Sequence, residues 1–195
     1  MSRRWHDLFV RRNALLEGHF LLSSGRHSPA YVQCAKVLER PEDAEALGRA
    51  LAGRTPGASV DRVIAPPMGG ILIGYEVARA LGVPFLFPER DASGALSLRR
   101  GFTLEPGDRV LVVEDVVTTG ITTGEVLRLV QAKEASPVGL LALVDRSEDH
   151  RVDVLPVHAI LQLQIPTYAP EECPLCAEDI PLTKPGSRVV LRGRR

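Results

Sequence analysis

The sequence predicts an α/β fold in which a central parallel sheet is flanked by helices. Three observations carry this expectation. Short apolar runs alternate with helical patterns along the chain, the order that builds a parallel sheet. The run Val110-Leu-Val-Val113 is β-branched and uninterrupted, the mark of a strand buried on both faces. It passes through a small-residue turn around Gly120 into the helical pattern Glu125-Val-Leu-Arg-Leu-Val. At 195 residues the chain suffices for one such domain with its own core, residues 1–195.

Taken in order, Asp7 to Glu17 reads as a helix and Tyr31 to Cys34 as a short strand. Pro41 opens a helix through Ala52, with proline and acids in its first turn. Val60 to Ala65 is a strand, Gly70 to Leu81 a helix, and Val83 to Phe87 a strand. A polar segment, Glu89 to Ser97, leads through Leu98-Arg-Arg-Gly-Phe102 to the strand at 110–113. A helix from Ile121 to Lys133 precedes the strand Val138 to Val144, and His158 to Gln164 forms a last strand. The tail, 166–195, is rich in proline and glycine and is expected to wrap the domain as irregular chain.

Composition excludes several classes of function. The 24 basic and 24 acidic residues balance, so no net field favours nucleic acid or an anionic membrane. No apolar run reaches the length of a membrane span, and Met-Ser-Arg-Arg-Trp-His-Asp lacks a signal-peptide core. The expected compartment is the cytoplasm. Basic charge is nearly all arginine, with Lys36, Lys133 and Lys184 the only lysines.

The segment from Val110 to Gly124 carries the chemistry. A strand, a small-residue turn and a helix N-terminus make an anion site, where free backbone N–H groups converge and the helix dipole favours negative charge. Hydroxyls of Thr118, Thr119, Thr122 and Thr123 add donors. Glu114 and Asp115 stand beside this cradle. Bare carboxylates repel a phosphate, so they need hydroxyls or a metal to face. A ribose 5-phosphate meets both demands, with its phosphate in the loop and its diol on the acids. A Walker A loop would need a lysine after its last glycine, and a dinucleotide fingerprint would need Gly-x-Gly-x-x-Gly; neither is present here.

This segment resembles the phosphoribosyl-diphosphate (PRPP) motif of the type I phosphoribosyltransferases. The resemblance implies the type I phosphoribosyltransferase fold, a central parallel sheet flanked by helices with a small N-terminal hood over the base, here about residues 1–40. It implies that Glu114 and Asp115 hold the ribose hydroxyls and that Val116, Val117, Thr118, Thr119, Gly120, Ile121 and Thr122 wrap the 5-phosphate. Ala65-Pro-Pro-Met-Gly-Gly-Ile71 is a second glycine turn from strand to helix, where the family places diphosphate.

Three segments bear on the acceptor, two of them by resemblance to orotate phosphoribosyltransferases in particular. Phe20 to Tyr31, with Ser-Gly-Arg-His-Ser-Pro at its centre, matches the segment before an aromatic strand that lines their base pocket. Leu141-Ala-Leu-Val-Asp-Arg146 is a strand ending in an arginine able to hold a carboxylate by two parallel hydrogen bonds. The tail from Glu172 to Ser187 resembles those of some bacterial members. The resemblance implies orotate as acceptor, contacted by Thr118 and Arg146, with orotidine 5′-phosphate and diphosphate as products for pyrimidine synthesis, and a homodimeric enzyme. The alternatives are a transferase for uracil or a purine, which would lack a use for Arg146, and a non-enzymatic nucleotide-sensing regulator of the same fold.

Some positions depart from that pattern. Ser23 stands where many orotate enzymes carry lysine, and Gly69 lies near another such position. The loop from Glu89 to Leu98 has Arg90 and neither lysine nor histidine. Catalysis should rest on positioning and electrostatics, with Mg²⁺ as the cofactor and Glu114, Asp115 and Arg90 as the catalytic residues. Arg90, Arg99 and Arg100 are the cations available to the departing diphosphate. Cys173-Pro-Leu-Cys176 supplies half a zinc site, with Cys34 and His158 as unforced completions. Read as a plain tail turn, it leaves the chain with no assigned protein metal ligand; His6, His19, His27 and His150 show no ligand spacing.

Overall fold

Continuous apolar runs, buried on both faces, build the centre of the sheet. In a computed structural model, which describes residues 2–22, 24–57 and 59–185, the helix α1 (Ser2–Arg11) leads into a hairpin of β1 (Leu15–Leu21) and β2 (His27–Val32). Then come α2 (Cys34–Leu38), α3 (Pro41–Ala52), β3 (Arg62–Ile64), α4 (Gly70–Leu81) and β4 (Phe85–Leu86). A second hairpin, β5 (Pro88–Arg90) and β6 (Leu96–Leu98), precedes β7 (Arg109–Val117), α5 (Ile121–Gln131) and β8 (Ser136–Asp145). The chain continues through β9 (Arg151–Val152), β10 (Leu155–Gln162) and α6 (Pro174–Ala177).

The main sheet has the order β4-β3-β7-β8-β10-β9, parallel except for β9 at its edge. Successive side chains on β7 point to opposite faces, as the pleat requires. Leu111 and Val113 join Phe9, Leu47, Val77 and Leu141 in one core, while Val110 and Val112 join Ile64, Val126, Val130 and Leu140 in the other. Each fully buried leucine or valine contributes roughly 1.5–3 kcal/mol relative to exposure. From β3 the chain turns outward through α4 to β4, then returns to place β7 on the other side of β3. That reversal opens a crevice at the carboxyl ends of β3 and β7, where open α/β sheets bind ligands.

The predicted α3, α4 and the start of α5 stand as expected, and the strands match within a few residues. The N-terminal region differs. The helix expected over 7–17 ends at Arg11, where Asn13 takes a left-handed conformation (φ 52°) and Ala14 N–H donates to the Phe9 carbonyl at 2.8 Å. Asparagine tolerates that conformation, so it stops the helix and frees Leu15 onward to pair as β1. The strand expected at Tyr31–Cys34 lies earlier, and Cys34 opens α2. The polar segment 89–97 is a hairpin turn, with Asp91 Oδ1 accepting from the Ser93 and Ala95 N–H groups. The tail bends back on β1 and β2: Thr183 N–H donates to the His19 carbonyl, and His27 and Tyr168 exchange backbone hydrogen bonds. Ser23 and residues 186–195, which include the end of the tail motif, lie outside the described residues.

Candidate active site

β7 runs on through Val117, past the expected strand end, and delivers both acids to the mouth of the crevice. Val116 and Val117 are therefore strand residues paired with Val144 and Asp145, and the free loop is confined to Thr118–Gly120. Gly120 closes it in a left-handed conformation, φ 70°, at the N-terminus of α5. A Cβ there would stand 2.8 Å from a Val152 methyl, so both backbone and space demand glycine. Thr118 and Thr119 are exposed, Thr122 is half-buried and Thr123 is buried beneath the loop. A cleft of about 210 Å³ opens here, lined by residues 114 to 123 together with Pro67 and Gly69.

The two carboxylates have different surroundings. Glu114 is buried, and its Oε1 lies 3.1 Å from the Asp115 N–H. Burial first, and the neighbouring Asp115 charge second, push its carboxyl well above the usual range, against the pull of the Thr123 hydroxyl. Asp115 is half-buried, and its Oδ1 accepts from the Val116 N–H at 2.9 Å. Gly69 makes room for it: a Cβ at that position would stand 2.3 Å from Asp115 Oδ2. Glycine at this position therefore accommodates the acid by having no side chain. The peptide between Pro67 and Met68, in the same turn, is cis.

Because burial raises the native Glu114 carboxyl above its unfolded value, its contribution to stability is greatest below the ordinary carboxylate range and falls as pH rises toward the native value. Glu114→Gln is therefore expected to flatten the decline of Tm as pH rises above the ordinary carboxylate range and to raise Tm on the alkaline side of that range. Thermal melts across that range check this. A variant profile parallel to the wild type would remove Glu114 as the source of the dependence.

Arg146 follows β8, and its backbone N–H donates to the Val117 carbonyl at 2.8 Å, so it stands beside the start of the phosphate loop. Its Nε is buried with no hydrogen-bond partner among the described residues. Burial pulls the guanidinium down from its ordinary pKa. The turn carrying it is pinned by Asp145, which is fully buried and accepts from the Ser147 N–H at 2.9 Å and hydroxyl at 2.6 Å, with His150 Nδ1 at 2.5 Å. Tyr31 on β2 faces the same region: burial, then the charge of Asp115, raise its phenol pKa, and Arg146 opposes them. Asp145 is a positioning residue that sequence reasoning missed.

Arg90 is not among the residues lining the cleft. Its guanidinium pairs with Glu125 at 2.6 Å, in the first turns of α5, and donates to the Gly94 carbonyl at 2.6 Å. Arg100 pairs with Glu89 at 2.7 Å, and Arg99 is exposed without a salt bridge among the described residues.

A glycine-closed loop at a helix N-terminus, an acidic pair and a half-buried arginine whose Nε has no hydrogen-bond partner among the described residues meet at the sheet's switch point, an arrangement suited to a phosphorylated sugar and an anionic partner. The chain belongs to the phosphoribosyl transferase family: residues 34–167 match the phosphoribosyl transferase domain. Its curated relatives include the orotate phosphoribosyltransferase of Pelotomaculum thermopropionicum, 50% identical over 184 residues that cover 94% of this chain and 96% of the relative. That of Caldanaerobacter subterraneus is 50% identical over 183 residues, covering 93% and 95%. Among solved structures, orotate phosphoribosyltransferase from Aeropyrum pernix superposes with a TM-score of 0.68 at 23% identity, over 81% of this chain and 93% of that one. Leishmania donovani UMP synthase gives 0.71 at 24% identity, over 83% and 36%. These last two likenesses concern the fold.

Proposed function

We propose that this chain transfers the phosphoribosyl group of PRPP to orotate, giving orotidine 5′-phosphate and diphosphate in pyrimidine (UMP) synthesis. The observation that carries the acceptor is Arg146, beside the ribose-phosphate loop, whose buried Nε has no hydrogen-bond partner among the described residues. A guanidinium nitrogen shut away from water costs free energy until an acceptor meets it, and a carboxylated pyrimidine supplies that acceptor. Relatives at 50% identity bear the name orotate phosphoribosyltransferase, in line with this reading.

Ribosyl transfer builds positive charge at C1′ and negative charge on the leaving diphosphate. In this reading the loop amides of Thr118 to Thr122 hold the 5-phosphate, and Glu114 and Asp115 hold the ribose diol and face the developing cation. Thr118 and Arg146 orient orotate, whose N1 is acidic enough to need no strong base. Mg²⁺ fits this oxygen-only donor set, with Glu114 and Asp115 the residues closest to where it would be held. When bound, it would supply charge to neutralise the departing diphosphate. Mixing the chain with PRPP, orotate and Mg²⁺ should yield orotidine 5′-phosphate only when all three are present. Diphosphate release with adenine or uracil, but not with orotate, would reassign the acceptor.

The enzyme works as a homodimer in this reading. Met68, Leu72 and Tyr75 are apolar and exposed by 83%, 55% and 56%, and they follow one another along the outer side of α4 and the turn before it. Burying such a row is the usual role of a second subunit.

Arg90 neutralises the departing diphosphate after release from Glu125, a surface pair whose rupture costs about 0–1 kcal/mol. Arginine stays charged at neutral pH, so its role is electrostatic. Arg90→Ala is expected to lower kcat far more than it weakens orotate binding. A dimer mixing Arg90→Ala and Asp115→Asn chains should recover activity if the hairpin serves the neighbouring site. Recovery no greater than that of the parents would keep Arg90 in its own subunit or outside the chemistry.

A further inference from the structure

We infer that His19, His27, Cys173 and Cys176 form a structural zinc site that staples the tail to the β1–β2 hairpin. One ligand atom from each lies within 4.8 Å of all the others, and His19, His27 and Cys173 are buried. His19 Nε2 stands 2.9 Å from His27 Nδ1, 3.5 Å from Cys173 Sγ and 3.8 Å from Cys176 Sγ, while Cys176 Sγ stands 3.3 Å from His27 Nδ1. In a tetrahedron with Zn–N of about 2.05 Å and Zn–S of about 2.3 Å, the edges are about 3.3 Å between nitrogens and about 3.6 Å between nitrogen and sulfur. The observed separations scatter around those edges.

The surroundings favour a metal over a polar cluster. His19 Nδ1 lies 2.7 Å from the Ile180 carbonyl, so it carries the proton there and leaves Nε2 as a lone pair pointing at the other three ligands. Both cysteines are free thiols. The Cys176 N–H donates to the Cys173 carbonyl at 3.1 Å, a tight turn presenting both sulfurs to the same side. Two thiolates and two neutral imidazoles make a neutral centre with Zn²⁺, the form that can be buried without leaving a net charge. Soft sulfur with imidazole in a tetrahedron selects zinc among common divalent ions. All four positions are filled by protein, so the site is closed to substrate and its role is structural.

Cys34 and His158, the completions that sequence spacing allowed, belong elsewhere. The Cys34 thiol faces the Asp115 carbonyl at 3.7 Å, and His158 lies on β10. The ligands His19 and Cys173 are 154 positions apart, so the metal joins the two ends of the chain. The β1–β2 hairpin also carries Tyr31, so the staple steadies one wall of the orotate region.

Elemental analysis of the untagged full chain, purified without chelator, is expected to find about one zinc per chain. Cobalt exchanged into the wild type should show tetrahedral d–d bands with a thiolate-to-metal charge-transfer band. Cys173→Ser with Cys176→Ser should bring zinc close to zero and lower Tm, whereas His158→Gln keeps full zinc. The cobalt spectrum decides the matter even if the double variant fails to fold. A reduced wild type that takes up neither zinc nor cobalt overturns the proposal, as does a Cys173–Cys176 disulfide in the native protein. Iron at these ligands would overturn the choice of zinc.

Discussion

Replacing Asp115 by asparagine is expected to lower kcat/KM by at least about tenfold, equivalent to ~1.4 kcal/mol of lost transition-state stabilisation. Asparagine keeps the size, and its side-chain oxygen can still accept the Val116 N–H as Asp115 Oδ1 does now. What disappears is the charge facing the ribose diol and the cation that develops at C1′. Gly69 leaves the side chain no reason to move, so fold and Tm should change little while turnover falls. Thermal melts beside steady-state kinetics separate the two effects. Near-wild-type turnover in the folded variant would take away the main support for the ribose assignment.

Arg146→Ala should raise the KM for orotate while leaving PRPP binding nearly intact. The loss should be about 2–3 kcal/mol, or roughly 30- to 150-fold, as for a charged hydrogen-bonded pair removed from water. Nε is already shut away from water with no partner among the described residues, so part of the cost of desolvating the guanidinium is met before orotate arrives. Titration with each substrate, followed by kinetics, distinguishes the outcomes. Unchanged orotate kinetics with collapsed PRPP affinity would move Arg146 to the other substrate and reopen the choice of acceptor.

Much of the fold is legible from local pattern. The uninterrupted apolar run at Val110–Val113 marks the central strand, and Pro41 with its following acids marks the start of α3. The phosphate loop is equally local, since strand, acids, glycine turn and helix are contiguous. The first hairpin was hidden because Leu15 and Leu16 continue the helical spacing from Leu8, and only the left-handed Asn13 breaks it. Composition describes Glu89–Ser97 as a polar loop, yet Leu96 and Leu98 pack against the second core and make it a hairpin.

Contacts between distant segments are where sequence reading runs out. Gly69 is recognisable as a turn glycine, but its service to Asp115 depends on β3 and β7 lying side by side. The two histidines that face Cys173 and Cys176 have no ligand spacing along the chain, because folding alone brings tail and hairpin together. Arg90 was legible as a cation in a loop; its partner Glu125, on a helix 35 positions away, was not.

The most direct test is a crystal structure of this chain with orotidine 5′-phosphate. The phosphate is expected on the backbone amides between Thr118 and Thr122, the ribose diol on Glu114 and Asp115, and the orotate carboxylate paired with Arg146. A phosphate bound away from that loop, or a base whose carboxylate leaves Arg146 without a partner, would contradict this assignment.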